Sequence, residues 1–127
     1  MTNNHWRKSQ TEDFFIRDSK RKGYRSRSVY KLQEIDRKYR IFKNVESVID
    51  IGSCPGGWSE FSRKKIKSGI VLAVDINEMD PIDGVTFIHG SIEEKEIQEN
   101  ALKKNNTKKF ELIVSDMSPN KTGNKVS

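Results

Sequence analysis

The stretch VIDIGSCPGGW, residues 48–58, decides how the rest of the chain is read. Its apolar start extends the run SVIDI (47–51), which suits a buried strand. Gly52, Pro55, Gly56 and Gly57 then break any regular element. GWSEFSRKKI follows with Trp58, Phe61 and Ile66 on one side of a helix. A strand, a glycine-rich turn and a helix in that order bring backbone close to a ligand at a strand's C-terminal end. The dinucleotide fingerprint needs glycine spacings of about two and three. Here Gly52, Gly56 and Gly57 stand four and one apart, and no Gly-Lys-Ser/Thr follows, so a phosphate cradle is not required.

Outward from that stretch the apolar pattern alternates between two periods. SVYKLQEIDRKYRIF puts Val29, Leu32, Ile35, Tyr39 and Phe42 at helical spacing, with Ser28 as the expected N-cap. GIVLAVDI (69–76), VTFIHG (85–90) and FELIVSD (110–116) read as strands. SIEEKEIQENALKKN reads as a helix opened by Ser91 with Glu94 three places on, a capping-box pattern. The order predicts an α/β domain with a mostly parallel sheet and helices on both faces. The step from the second strand to the third has turn residues but no clear helix.

Ligands of such sheets bind beyond the C-terminal strand ends. Asp50, Asp75 and Asp116 fall there with the glycine loop. A carboxylate ending the second strand can accept hydrogen bonds from both hydroxyls of a ribose. Three acids together repel a pyrophosphate and attract a cation. S-adenosylmethionine, which carries a ribose, an ammonium and a sulfonium, fits this set.

The 127 residues suit one domain, 1–127, and 33% of them are apolar. The N-terminus has no apolar core of a secretory signal, and no run approaches the roughly 20 residues of a membrane span. One cysteine, Cys54, excludes an internal disulfide, and cytoplasm or an organelle matrix is the expected compartment. With no histidine near it in sequence, Cys54 reads as a small loop residue rather than a nucleophile. His5 and His89 have no partners at metal-ligand spacing, so no metal is expected. Charge is uneven: residues 1–43 carry +8 and the remainder −2. That asymmetry points to a polyanion partner for the basic half, with a solvated tail as the alternative. Trp6, Phe14, Phe15, Tyr24 and Tyr30 are interleaved there and suit either base stacking or anchoring to the core.

GYRSRSVYKL, DIGSCPGGWSE, VDINEMDPIDGVTFIHG and SDMSPNKTG, in that order, resemble the FtsJ-type 2′-O-ribose methyltransferases, above all the branch acting on a uridine of large-subunit ribosomal RNA. The resemblance runs from about residue 12 to residue 124. It implies a Rossmann-like S-adenosylmethionine-dependent methyltransferase fold, ribosomal RNA as partner, a monomer, and a Lys-Asp-Lys-Glu tetrad. Lys31 and Asp116 match the first two tetrad positions. Donor-holding positions are Asp50, Gly52, Pro55, Gly56, Gly57, Trp58, Asp75, Ile76, Ser91, Ile92 and Asp116. Lys20, Arg21, Lys22, Arg25 and Arg27 are the expected RNA contacts. Ser91 stands where the family often has an aspartate at the adenine side. The second lysine, the glutamate and three further strands lie downstream of Ser127 in the family. The chain therefore reads as an N-terminal part: a basic RNA-binding segment of about 1–43 and a donor-binding half of about 44–127. FELIVSD is then an exposed apolar edge. Two other readings stand beside this one: a non-catalytic RNA- or donor-binding module, and a tRNA 2′-O-methyltransferase of the same superfamily.

Overall fold

The computed structural model describes residues 27–117. Four strands form one parallel sheet: β1 (Ser47–Ile51), β2 (Ile70–Asp75), β3 (Val85–His89) and β4 (Leu112–Ser115), in the order β3-β2-β1-β4. Helices α1 (Val29–Tyr39), α2 (Gly57–Lys65) and α3 (Lys95–Lys104) cover it. Side chains alternate across each strand, so each face receives every second residue. Val48, Val71 and Val114 meet Leu32, Phe42, Trp58 and Ile66 on the face of α1 and α2. Ile49, Leu72, Val74 and Ile88 meet Ala101 of α3, with Ile97 and Phe110 partly buried beside them. The expected parallel sheet with helices on both faces is the fold observed.

β2 and β3 are parallel neighbours joined by residues 76–84, which form no helix. Arg63 helps fix both ends of the excursion. Its Nη1 donates to the carbonyls of Gly69 at 3.0 Å and Gly84 at 3.3 Å, and Nη2 to Ile66 at 3.2 Å. One guanidinium thus holds the end of α2 and the entries to β2 and β3. Gly69 has φ +98°, and a Cβ there would run into the Glu46 carbonyl. That carbonyl accepts the Ile70 N–H at 2.9 Å, so the turn fixes where β2 starts beside β1.

Several boundaries differ from the sequence expectation. α1 stops at Tyr39 because Arg40 turns left-handed, with φ 52° and its N–H on the Asp36 carbonyl. Tyr39 is 65% exposed, and Phe42 reaches the core only after the turn. Ser28 is at the N-cap position with helical dihedrals and makes no side-chain cap bond. Ser91 and Glu94 do not form a capping box. The Ser91 hydroxyl accepts the Glu93 N–H at 3.2 Å, Glu94 is extended, and α3 begins at Lys95. β2 and β3 are one or two residues shorter than expected, α2 ends at Lys65, and β4 begins only at Leu112. β4 pairs with β1 and forms the sheet edge among the described residues, with Ile113 63% exposed.

Replacing Arg63 with alanine leaves three carbonyls without this donor. We expect Arg63→Ala to lower the unfolding free energy by about 1–3 kcal/mol. Urea titration of both proteins at one pH measures the difference.

Candidate active site

Parallel pairing puts the C-terminal ends of all four strands on one side of the sheet, and their connections lace together there. The N–H groups of Gly52 and Ser53, just past β1, donate to the Val74 carbonyl of β2 at 2.8 and 3.1 Å. Gly90, just past β3, donates to the Asp75 carbonyl at 2.9 Å. The Asp75 side chain completes the lacing. Its Oδ2 accepts the Cys54 N–H at 2.8 Å and its Oδ1 the Asn77 N–H at 2.7 Å. The glycine loop is thereby tied to the end of β2. Gly56, with φ 116°, makes the reversal from that loop into α2, a conformation that side chains rarely adopt.

Two adjoining hollows open on this side. One, of about 410 Å³, runs from Gly52 and Asp75 past Ile76 to Ser91 and Ile92, with Asp116 and Met117 on its other wall. The other, of about 130 Å³, lies among Asp50, Pro55, Gly57, Trp58 and Asp116. Gly52, Cys54 and Asp116 border both. Ten of the eleven donor-site candidates line these two hollows: Asp50, Gly52, Pro55, Gly57, Trp58, Asp75, Ile76, Ser91, Ile92 and Asp116. Gly56 is buried behind it and shapes the loop.

Lys31 and Asp116 come together from elements far apart in sequence. Lys31 is in the first turn of α1 and Asp116 directly follows β4, and Nζ lies 3.8 Å from Oδ1. Lys31 is 68% exposed and Asp116 33%, so the pair faces outward beside the depression. Trp58 sets this arrangement from below. Its ring is in the core with Leu32 and Val48, and its Nε1–H donates to the Ser28 carbonyl at 2.9 Å. The start of α1, and Lys31 with it, is pinned to α2.

Asp50 is the most deeply buried of the acids, at 1% exposure. Its Oδ2 accepts the Ser59 hydroxyl at 2.7 Å. Burial pushes its carboxyl up from the ordinary 3.8 to about 6; the Ser59 hydrogen bond opposes this, and the nearby charges of Asp116 and Asp75 add to it. The reading of residues alone missed Ser59, which has no motif value and lies one turn into α2. It also missed that the Asp75 carboxylate is already engaged by backbone. Of the expected RNA contacts, Arg27 is exposed at the approach to α1. Lys20, Arg21, Lys22 and Arg25 lie outside the described residues. His89 Nε2 is 2.8 Å from the Ile76 carbonyl, and no group of metal-binding side chains occurs among the described residues.

A parallel sheet flanked by helices, with a glycine loop and acids at its C-terminal edge, defines a Rossmann-like ligand-binding domain. The chain belongs to the FtsJ-like methyltransferase family, whose model matches residues 24–127. It is 43% identical over 126 residues to the ribosomal RNA large subunit methyltransferase E of Nitrosospira multiformis, covering 98% of this chain and 61% of that protein. It is 41% identical over 121 residues to the protein of the same name from Hydrogenovibrio crunogenus, covering 94% and 59%. A crystal structure assigned as a ribosomal RNA methyltransferase of Plasmodium falciparum superposes with a TM-score of 0.68 at 35% identity, over 81% of this chain and 61% of that one. The chain thus spans about three fifths of the length of these relatives.

The buried acid gives the fold a pH dependence with a definite sign. Asp50 holds its proton more tightly folded than unfolded, so ionising it destabilises the native state. That penalty is absent below 3.8 and fully present once pH exceeds about 6. Asp50→Asn keeps an acceptor for Ser59 and removes the charge. Relative to wild type it should gain up to about 3 kcal/mol between about pH 4 and about pH 8. Denaturant midpoints of the two proteins across that range check the trend.

Proposed function

We propose that this chain supplies the donor-binding half and two catalytic groups of an enzyme that methylates a ribose 2′-hydroxyl, that of a uridine, in large-subunit ribosomal RNA, using S-adenosylmethionine. The observation that carries the reading is the Lys31–Asp116 pair, set at 3.8 Å beside the depression that Asp75 and the glycine loop border. Family membership and the names of the relatives support ribosomal RNA as the substrate class. No described helix is long and apolar enough to cross a membrane, and we place the protein in the cytoplasm or an organelle matrix, where ribosomal RNA is found.

The residues present fit the donor. A depression of about 410 Å³ lies within the usual range for small-molecule sites. Each Asp75 oxygen has one backbone partner and retains a lone pair, which suits the ribose hydroxyls. Ile76 and Ile92 offer apolar surface to a flat base, and Ser91 borders the same end. Asp50 and Asp116 favour the cationic end by Coulomb attraction. When bound, the donor supplies a methyl group on a sulfonium that departs as a neutral thioether. The protein's task is alignment of the acceptor hydroxyl with that methyl. Asp116 orients Lys31 at the mouth, where an incoming ribose would be held. A base must also take the hydroxyl proton. A lysine, whose ordinary pKa is about 10.4, serves as one only when neutral. Lys31 lies 3.8 Å from Asp116 at the mouth, and its role in this reading is to position the acceptor.

Two expected outcomes test this. Asp75→Asn should weaken S-adenosylmethionine binding by about 1.5–3 kcal/mol, since a charge-assisted acceptor is lost. Calorimetry on the folded variant measures it, and unchanged affinity would remove Asp75 from the site. In the whole protein, Lys31→Ala should abolish transfer of a labelled methyl group to large-subunit particles while donor binding persists. Full transfer by that variant would refute a catalytic role for the pair.

A further inference from the structure

The opposite edge of the sheet, where the strands begin, carries a different charge. α1 ends in Arg37 and Lys38 and α2 in Arg63, Lys64 and Lys65, and both helix ends lie at this edge. Asp36 and Lys65 join them at 3.0 Å. Beside that pair are two open hollows of about 540 and about 590 Å³ that share Phe42, Lys43 and Lys65. Arg37 and Arg40 border the first and Lys67 the second.

Five cations therefore line these hollows against two carboxylates. Both carboxylates are engaged: Asp36 by Lys65, and Glu46 by the Ser68 hydroxyl at 3.2 Å. Arg37, Arg40, Lys43 and Lys67 have no ion pair among the described residues. Complementing the helix dipoles accounts for Arg37 and Lys65, which sit in last turns. Helix dipoles do not account for Lys43 and Lys67, which lie past the caps; Arg40 is the α1 C-cap itself. Arg40 is placed there by its left-handed backbone, which ends α1 and turns the chain along this edge.

We infer that this edge is a second RNA-contact surface, which holds the phosphate backbone of a structured RNA away from the nucleotide at the Asp75–Asp116 end. The hollows are open and adjoin one another. That form suits an extended polyanion with repeated phosphates better than an enclosed small anion. About 15 Å of strand separates this edge from the donor depression, so the two cannot contact the same nucleotide. A folded RNA that wraps the face of α1 and α2 can reach both. The inference rests on the proposed function only for the identity of the polyanion.

The test uses the full chain with Arg40→Glu and Lys43→Glu combined, neither residue belonging to the site above. The probe is a fluorescein-labelled hairpin transcribed from large-subunit ribosomal RNA, titrated by anisotropy over a series of salt concentrations. We expect binding several-fold weaker, and a log affinity–log salt slope shallower by about 1.5 for two lost phosphate contacts. S-adenosylmethionine binding, measured by calorimetry on the same variant, should be unchanged. RNA affinity and slope equal to wild type in a folded variant would overturn the inference. Absent donor binding in the wild type would instead fault the proposed function. Should the variant fail to fold, lysine acylation of the wild type read by mass spectrometry decides the matter. Protection of Lys43 and Lys67 by the hairpin supports the surface, and equal acylation with and without RNA overturns it.

Discussion

The carboxylate of Asp75 takes the N–H of Cys54 at 2.8 Å, and the functional end of the molecule depends on that bond. A glycine loop has few side chains with which to hold itself, and its backbone donors must be satisfied when partly buried. Asp75 satisfies one of them from the neighbouring strand. With Gly52 and Ser53 on the Val74 carbonyl, the loop becomes an extension of β2 as much as of β1. The entry to α2 then follows from Gly56, and the position of Trp58 follows from α2. Trp58 pins the Ser28 carbonyl, so the start of α1 and the reach of Lys31 are set by the same chain of contacts. Removing the Asp75 carboxylate would therefore loosen the glycine loop and, through α2, the seat of α1.

Asp50 works against that order. Burial of its carboxyl costs stability when it is ionised, and hydrogen bonds from the hydroxyl and the backbone of Ser59 offset part of the cost. Asp75 and Asp116 make it worse by like charge. An apolar residue at the end of β1 would fold more easily. Asp116 borders both the hollow lined by Asp50 and the hollow lined by Asp75, so a positive charge there would offset the repulsion that folding leaves. The pH dependence of the fold and the negative field at this edge thus have one source: what disfavours ionised Asp50 in the native state is what attracts a positive charge.

Strand positions, sheet direction and the acids at the ends of β1, β2 and β4 were legible because they follow from local periodicity and from the rule that parallel strands share an edge. The failures are of one kind. α1 was read as continuing to Phe42, since Phe42 keeps the helical spacing. Phe42 is indeed in the core, but it arrives there through a left-handed Arg40, and the spacing cannot separate these routes. Ser91 and Glu94 have capping-box spacing, yet the Ser91 hydroxyl bonds two residues on, and the short turn it forms delays α3 to Lys95. In the site, the glycine loop and Asp75 were legible, while Ser59 and the Ser28 carbonyl were not. A hydroxyl buried on a helix and a backbone acceptor leave no signature in residue type. Lys31 and Asp116 were joined by motif resemblance alone; nothing in an 85-residue separation along the chain brings them to 3.8 Å except the sheet order that puts β4 beside β1.

That order also gives the domain a polarity. Because all four strands are parallel, every strand ends at the acidic edge and the helices α1 and α2 end at the other. Helix C-termini favour lysine and arginine, so an α/β domain of this type accumulates cations at the edge remote from its ligand without any selection for a partner. What departs from this default is the placement of Lys43 and Lys67 beyond the helix caps, bordering two hollows. The acidic edge repels phosphate and suits a cationic small molecule; the basic edge does the reverse. Separating the two fields along the strand direction keeps each from cancelling the other, since salt screens charges more than about 8–10 Å apart. Lys31, exposed beside the acidic edge and 3.8 Å from Asp116, sets a basic side chain against that field.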